Sequence, residues 1–201
     1  TSAPCGIRTR AVQLEGLHFS NFLIQQTGAV NTGTAIDFTN FARSTFYAVD
    51  TTGSLIGYIA STTGTHYNTI MFPTINIAGV GSRGFSVENS AIFQTLINPR
   101  ILTTTDSTGI YIDAHSMNCI SCNVETNAAI GLDVGANGND ARLDVYLEGN
   151  IINLRLASAV EAVKITGFIA DADDTTNGNI VDNGARGWSF DGRLQYEPKK
   201  I

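Results

Sequence analysis

Three consecutive repeat units, each called a line below, decide the fold. They are GIYID (109–113) with NCISCNVETN (118–127), GLDVG (131–135) with ARLDVYLEGN (141–150), and NLRLA (153–157) with AVKITGFIA (162–170). The first residues of these lines are 22 residues apart. A fixed short period is typical of repeat architectures, in which each unit buries its apolar face against its neighbours.

Apolar residues recur at every second position within each line, which predicts strands with one buried face. The matching inward positions are Ile110, Leu132 and Leu154; Ile112, Val134 and Leu156; Ile120, Leu143 and Ile165; Cys122, Val145 and Gly167; and Val124, Leu147 and Ile169. Strands that match in this way stack one rung above another. The chain is therefore predicted to be all-β, a single-stranded parallel β-helix of about six to seven rungs. The general preference of parallel crossovers predicts a right-handed coil.

The predicted β-helix covers residues 1–170, with its clearest rungs at 84–170. Residues 171–201 are predicted to form a terminal rung and a C-terminal cap, with Trp188, Phe190 and Tyr196 as the capping side chains. Between the earlier line starts, Gly57 and Gly84, the spacing is looser, so loops must protrude there. The two candidate protruding loops are Ser61–Tyr67 and Thr103–Thr108.

Near the N-terminus, Leu17–Phe22 (LHFSNF) resembles Ile36–Phe41 (IDFTNF), and the two segments are interpreted as the first two rungs. Asn21 and Asn40 follow these strands, at positions where Asn tolerates a left-handed backbone. The first residues lack the apolar segment of a signal peptide. The absence of a starting Met suggests a fragment or a processed product.

The net charge of −6 argues against nucleic acid as a partner, because phosphate binding needs clustered Lys and Arg. No apolar run approaches the roughly 18 residues that a membrane span requires, so no membrane insertion is expected. No cofactor is demanded by any motif. The three histidines, His18, His66 and His115, are scattered over different rungs, and corner positions are the favoured interpretation.

Three cysteines are present, and neither their odd number nor their low density suggests a disulfide scaffold. Cys119 and Cys122 form a CxxC motif, but a zinc site needs a second pair of ligands at suitable spacing. Because Cys122 falls on an inward position, we interpret it as a small core residue. No metal site is predicted.

The same register places a pair of carboxylates on the outside. Glu125 and Glu148 fall in one outward column, with Ala170 next in it, and rungs are roughly 4.8 Å apart. Two neighbouring carboxylates can divide acid and base roles, because repulsion raises one pKa. The alternatives are solvated strand ends, bonds to corner amides, a trimer centre or a bound cation. As catalytic candidates we name Glu125 and Glu148.

A second outward column contains Tyr111, Asp133 and Arg155. Asp133 and Arg155 are predicted to form an exposed ion pair. An aromatic ring beside a carboxylate and a guanidinium also suits a sugar, so all three are candidate substrate-binding residues. Tyr146 and Phe168 are outward aromatics on neighbouring rungs, for which a trimer interface or a sugar-stacking platform is open. Tyr146 is the fourth substrate-binding candidate.

Residues 84–170 resemble the parallel β-helix of bacteriophage tailspike and tail-appendage proteins, a pectin-lyase-like fold. The resemblance lies in the repeated line starts GIYID and GLDVG and in the strand ends NVETN (123–127) and YLEGN (146–150). It implies a homotrimer that binds, and often cleaves, host surface polysaccharide. The catalytic carboxylates differ in position among members of the family, so the resemblance transfers no active site. The sequence also lacks the Asn-Thr-Asp, Gly-His-Gly and Arg-Ile-Lys motifs of polygalacturonases.

The resemblance implies a virion module that acts outside the cell. Its expected partners are two further copies of the chain, a capsule or O-antigen polysaccharide, and other virion tail proteins. Two functions are open, and a cellular solenoid adhesin or lyase is a third option that one subunit in solution would favour. One is a polysaccharide depolymerase, a hydrolase or a lyase, that uses Glu125 and Glu148. The other is a non-catalytic structural or receptor-binding segment of a tail fibre.

Overall fold

The structure is a computed structural model, and it describes residues 5–8, 13–26, 33–61, 65–77, 79–89, 91–103, 106–125, 128–170 and 179–195. Within these ranges the chain contains strands and no helix. The first ten strands are β1 Cys5–Arg8, β2 Leu14–Glu15, β3 His18–Gln25, β4 Thr34–Asp37, β5 Phe41–Ala42, β6 Thr45–Ser54, β7 Ile56–Ala60, β8 Thr69–Met71, β9 Thr74–Ile77 and β10 Arg83–Glu88. The last ten are β11 Thr95–Ile97, β12 Arg100–Leu102, β13 Thr108–Asp113, β14 Asn118–Glu125, β15 Ile130–Val134, β16 Arg142–Glu148, β17 Ile152–Leu156, β18 Lys164–Ala170, β19 Ile180–Asp182 and β20 Ser189–Gln195.

These strands stack into two long parallel sheets that wind around one apolar core. The first sheet has the order β1-β4-β7-β10-β13-β15-β17-β19. The second follows β11-β8-β6-β9-β12-β14-β16-β18-β20, with β3 beside β6 and a further pairing of β11 with β14. A short third sheet pairs β2 with β5. Each turn contributes to both long sheets, and the solenoid has about six turns. The predicted all-β parallel solenoid is confirmed, whereas its right-handed sense stays a prediction.

The register of the line starts is the predicted one. Ile110 pairs with Leu132, which pairs with Leu154, and all three side chains are fully buried. Close packing explains why glycine occupies the start of a line. A Cβ atom at Gly109 would meet the Val124 side chain and lie 2.6 Å from the carbonyl oxygen of Gly131. The backbone of the first sheet thus passes too close to the second sheet and the next turn to admit a side chain here.

Left-handed backbone recurs at the same corner of successive turns. The residues at this corner are Gly16, Arg43, Tyr67, Phe93, Ser116, Asp140, Ala162 and Gly187. Left-handed φ costs an L-residue roughly 1–2 kcal/mol. Hydrogen bonds between turns offset this cost: Arg43 N donates to His66 O, and Ser116 N donates to Asn139 O. The corner is therefore a hydrogen-bonded column whose side chains point away from the core.

One inward position differs from the prediction. Cys119, not Ile120, pairs with Leu143, and Cys122 pairs with Val145, so the register shifts between the two cysteines. The extra residue forms a β-bulge, with Ser121 in left-handed conformation at φ 50°. Ile120 is 46 % exposed, so the prediction that it faces the core is wrong.

The same bulge contains a disulfide bond between Cys119 and Cys122. Both residues are buried in the core, which confirms the predicted inward position of Cys122. The disulfide itself was not predicted, because each cysteine on its own resembles a small core residue. The bond closes the bulge and fixes the loop that presents Ile120 and Ser121.

The predicted equivalence of Leu17–Phe22 and Ile36–Phe41 is wrong. Phe19 pairs with Phe46 in the second sheet, whereas Ile36 pairs with Ile7 in the first. The two similar segments therefore lie on different sheets. Asn21 and Asn40 both have a left-handed backbone, with φ of 57° and 68°, but only Asn40 follows a strand, because Asn21 lies within β3.

Residues 179–195 continue the solenoid, since β19 pairs with β17 and β20 pairs with β18. Trp188 and Phe190 are partly buried against the core at this end. Ala170 is fully buried, so its predicted outward position is wrong. Tyr196, residues 171–178, and residues 62–64 and 104–105 of the two candidate protruding loops lie outside the described residues.

Candidate functional site

The predicted site residues fall on two different sheets. Tyr111, Asp133 and Arg155 form one column of the first sheet. Glu125 and Glu148 lie on the second sheet and pair in register, as predicted. Tyr146 is two residues before Glu148 on β16 and shares its face of the sheet. The structure thus does not bring the six residues together in one site.

In the first-sheet column, Asp133 and Arg155 form a bidentate ion pair. Arg155 Nε lies 2.9 Å from Asp133 Oδ1, and the other guanidinium bond, to Oδ2, is 2.6 Å. This hydrogen bonding raises the pKa of Arg155. The prediction of an exposed pair is wrong for Asp133, which is only 6 % exposed. The Asp133 carboxylate and the Arg155 guanidinium therefore bind each other through two hydrogen bonds.

Tyr111 is engaged within the same column. The Arg83 guanidinium lies 4.1 Å from the centre of the Tyr111 ring and also pairs with Glu88. Burial, followed by the charge of Asp113, raises the pKa of Tyr111. Because the cation covers one face of the ring, the column resembles a structural network more than a platform for a sugar.

The two glutamates are half-buried and each accepts a hydrogen bond from its own strand. Asn123 Nδ2 donates to Glu125 Oε1 at 2.7 Å, and the Tyr146 hydroxyl donates to Glu148 Oε2. The register places the two residues on adjacent strands, and each carboxylate is engaged by a neighbour on its own strand. The pair lies at the end of β14 and β16, next to the corner that leads back to the first sheet.

Tyr146 belongs to an aromatic ladder along the second sheet. Its ring stacks on Phe168, with centroids 5.2 Å apart, and the Arg193 guanidinium lies 5.7 Å from the centre of the Phe168 ring. Since ring faces are turned towards neighbouring rungs, the ladder presents mostly edges to solvent. Sugar stacking needs an open ring face, so the ladder favours an interface over a stacking platform.

The structure also contains a groove that the sequence did not single out. It lies on the outer face of the second sheet, at the start of β11, β14, β16 and β18, and has a volume of about 590 Å³. Its lining combines amide, hydroxyl, carboxylate and cationic groups with apolar surface. The lining residues are Thr95, Asn118, Cys119, Ile120, Arg142, Leu143, Asp144, Lys164 and Thr166.

Two cations stand side by side in this groove. Arg142 pairs in register with Lys164, and Asn118 occupies the same column one turn before. Both charged side chains are exposed. The salt bridges of the described residues involve Arg8, Arg43, Arg83 and Arg155, and neither groove cation. A signal existed in the sequence, because Arg142 and Lys164 are 22 residues apart and both begin a strand.

The bulge forms one wall of the groove. Asp144 accepts hydrogen bonds from Ser121 N at 3.1 Å, Ser121 Oγ at 3.2 Å and Thr166 Oγ1 at 3.3 Å. Asp144 therefore ties the bulge to β18. Beside it, Ile120 projects outward because the extra residue removes it from the core. The disulfide holds this wall from within.

Among the described residues, no group of three or more His, Cys, Asp and Glu side chains could hold a metal ion. Of the histidines, His18 and His115 are exposed, and His66 packs edge-on against Tyr67. Within the described ranges no helix has the length and apolar character to cross a membrane.

Comparisons with protein-family models, with curated proteins and with solved structures found no match to this chain. The class is therefore defined by the coordinates alone. The protein is a parallel β-solenoid with an open, partly cationic groove on the outside of one sheet.

Proposed function

We propose that the chain is a module of a phage tailspike or tail appendage that binds a bacterial surface polysaccharide, a capsule or an O-antigen, during host attachment. The observation that carries the proposal is the groove on the outer face of the second sheet. Amide, hydroxyl, carboxylate and cationic groups converge there beside apolar surface, which is the composition that ligand sites favour. Sugars need this mixture because they present hydroxyls at their edges and C–H groups on their faces.

The disulfide supports the extracellular part of the proposal. Disulfides persist in oxidising surroundings and are rare in reducing cytosol. The bond between Cys119 and Cys122 underlies the groove wall, so an oxidising environment would preserve the shape of the site. We place the protein on the virion, where it acts outside the cell.

A groove-filling variant tests the binding. Thr166→Trp adds a large ring inside the groove at an exposed position, and Asn76→Trp adds one at an exposed position of the same sheet outside it. Binding of labelled capsule and O-antigen polysaccharides would be measured by surface plasmon resonance. We expect the wild type and Asn76→Trp to bind one polymer and Thr166→Trp to lose it. Equal binding by all three proteins would contradict the groove as the site.

Cleavage is the second candidate, favoured by the confirmed register of Glu125 and Glu148. The two carboxylates end β14 and β16, two of the strands that form the groove, but they do not line the groove. Chromatography of the bound polymer would show shortening by wild type and not by Glu148→Gln if the pair is catalytic. Shortening by both proteins would place catalysis elsewhere, and intact polymer with both would leave a binding module.

The assembly is proposed to be a homotrimer, with the aromatic ladder of Tyr146 and Phe168 at the interface between subunits. Support comes from the partly exposed, edge-on rings of the ladder. Light scattering coupled to size exclusion should give about three times the 21.4 kDa chain mass. Tyr146→Lys should shift the protein towards monomer, whereas Tyr47→Lys, another exposed aromatic of the same sheet, should not. A monomeric wild type would contradict the trimer and would favour a cellular solenoid adhesin or lyase.

A further inference from the structure

We infer that the groove is selective for acidic polysaccharides, whose carboxylate groups bind Arg142 and Lys164. The inference rests on the proposed polysaccharide binding and names the ligand class for the same site. It follows from three features of the groove: its paired cations, the engaged state of its carboxylate, and the apolar surface that continues it.

The paired cations are unfavourable in the protein alone. Arg142 and Lys164 occupy directly opposite positions on neighbouring strands, where rungs are roughly 4.8 Å apart. Like charges in this arrangement repel and destabilise a sheet. The chain has 18 acidic and 12 basic residues, yet the ion pairs of the described residues leave these two cations out. An anion bound in the groove would replace repulsion by attraction.

The groove carboxylate does not supply that anion. Asp144 lies on the same face as Arg142, two residues along β16, but its oxygens accept the hydrogen bonds from Ser121 and Thr166. Its role is to hold the bulge. The Arg142 guanidinium can therefore bind a ligand carboxylate through two parallel hydrogen bonds. The Lys164 ammonium adds a second positive charge one rung away.

Apolar surface extends the groove towards the N-terminal turns. Five large side chains on or beside β6, β8, β11 and β14 are between 40 % and 52 % exposed: Tyr47, Tyr67, Phe72, Phe93 and Ile120. Tyr67 and Phe93 stack with centroids 5.0 Å apart at the left-handed corner. The rings of Tyr47 and Phe72 meet edge to face at the C-terminal end of β8, whereas Tyr67 precedes that strand. Apolar clusters of this kind on a soluble surface mark interaction sites.

The surface is long enough for a polymer. From β6 through β8, β11, β14 and β16 to β18 there are five strand spacings, or about 24 Å along the solenoid axis. One end is aromatic and the other is cationic. A polysaccharide lying across the rungs would pack C–H faces against the aromatic end and place carboxylates at the cationic end. A single sugar would use only one part of this surface.

The experiment compares acidic and neutral polymers with two charge-matched variants. The groove variant is Arg142→Gln/Lys164→Gln, and the control is Arg100→Gln/Arg193→Gln, which removes the same charge from the same sheet outside the groove. Calorimetry would use polygalacturonate, polysialic acid and dextran as probes, together with the capsule and O-antigen polysaccharides of the binding test. Circular dichroism would verify that both variants fold. A series of salt concentrations would measure the ionic contribution.

We expect wild type and control to bind at least one acidic polymer and not dextran. The groove variant should bind it at least about ten-fold more weakly and with a smaller salt dependence, as expected for two lost charge-assisted contacts. Equal losses in both variants would show that only net charge matters, and would overturn the inference. Binding of neutral polymers alone would overturn the acidic selectivity and leave the proposed function intact. Binding of no polymer by wild type would overturn both.

Discussion

The second sheet is built differently in the two halves of the solenoid. In the bent turns, from β3 to β14, the chain breaks direction once per turn at a left-handed residue. These residues are Asn21, Ala48, Phe72, Asn98 and Ser121. In the straight turns, β16 and β18 pair residue for residue along their whole length. The comparison teaches that one residue per turn decides whether the outer face carries a bend or a flat sheet.

The groove proposed as the binding site lies where these two kinds of turn meet. The bulge at Ile120 and Ser121 is the last bend, and the disulfide closes it. The groove uses the bend as a wall and the straight strands β16 and β18 as a floor. A solenoid built only of straight turns would have the cations but no wall beside them.

The largest predicted effect concerns two line-start glycines of the bent turns, Gly57 on β7 and Gly109 on β13. Gly109→Ala and Gly57→Ala should each lower the free energy of unfolding by about 3 kcal/mol, because the new Cβ would lie 2.6 Å or less from a backbone oxygen of the next turn. Denaturant titration measures this. Gly81→Ala is the control: nothing lies within 4 Å, so only its positive φ should cost about 1 kcal/mol. Equal losses at all three positions would show that close packing is not the cause.

The sequence predicts the turns from β13 onwards well, apart from the bulge, because period and alternation coincide there. Ile110, Leu132 and Leu154 match at a constant spacing, and the register of Glu125 and Glu148 follows. The same reasoning fails at the bulge of β14. Cys119 and Ile120 are both apolar and adjacent, so alternation cannot tell which one enters the core.

The N-terminal error has a related cause. Leu17–Phe22 and Ile36–Phe41 share an alternating pattern, and both sheets bury every second residue. Similarity therefore identifies strands without assigning them to a sheet. The groove was missed for a third reason: its two cations are visible in the sequence, but its wall depends on the unpredicted bulge.

Removing the disulfide tests the bulge at which the bent and the straight turns meet. Cys119→Ala/Cys122→Ala should lower the free energy of unfolding by about 2 kcal/mol, as expected for a short closed loop. It should also weaken polysaccharide binding, because the bulge wall loses its fixation. Both proteins would carry Cys5→Ser to prevent exchange with the third thiol. Reductant should destabilise the parent and leave the double variant unchanged; a response of the double variant would contradict this explanation.

Tyr58 tests the bent half alone. Its buried hydroxyl donates to the carbonyl oxygen of Val49, directly after the bend residue Ala48. Tyr58→Phe leaves that oxygen without this donor and should cost about 1.5 kcal/mol in denaturant unfolding. The exposed Tyr47→Phe is the control and should change stability by less than about 0.5 kcal/mol.

The stability of the wild type at alkaline pH tests the same buried hydroxyl of Tyr58. Burial, with the charge of Asp50, raises the pKa of Tyr58 above the ordinary value near 10. The folded state then holds the proton more tightly than the unfolded state, so stability is present below pH 10 and is lost as the pH rises further. Tyr58→Phe should show a shallower loss. Identical alkaline profiles would contradict the assignment.

Ion pairs provide a smaller comparison between the halves. In the straight turns Asp133 and Arg155 are bidentate and Asp133 is nearly buried. In the bent turns Arg43 and Glu15 form a single contact at 3.4 Å with both side chains exposed. Double-mutant cycles with Gln and Asn should give a coupling of about 1 kcal/mol for the first pair and under about 0.3 kcal/mol for the second. Equal couplings would remove this distinction between the halves.

The smallest expected effect concerns the last turn among the described residues, which contains β19 and β20. Asp182 accepts hydrogen bonds from the backbone N–H of Ala185, from the Trp188 indole and from the backbone N–H of Gly184. In that order of size, these bonds lower the pKa of Asp182. Its stabilising contribution is therefore present above the ordinary carboxylate pKa and is lost as the pH falls through the lower folded value. Because the group is fully exposed, we expect local loosening of the turn and no global unfolding.

Trp188 is the only tryptophan of the chain, so its fluorescence reports this turn directly. Between pH 6 and pH 2, the wild-type emission should shift as Asp182 is protonated, while far-ultraviolet circular dichroism stays constant. Asp182→Asn should have a shifted emission at pH 6 already and should show little further change with acid. Asp191→Asn, on the next strand, is the matched control and should titrate like the wild type. If Asp182→Asn also titrated like the wild type, another group would control the turn. The end of the solenoid would then be held by the packing of Trp188 and Phe190 against the core and not by the Asp182 hydrogen bonds.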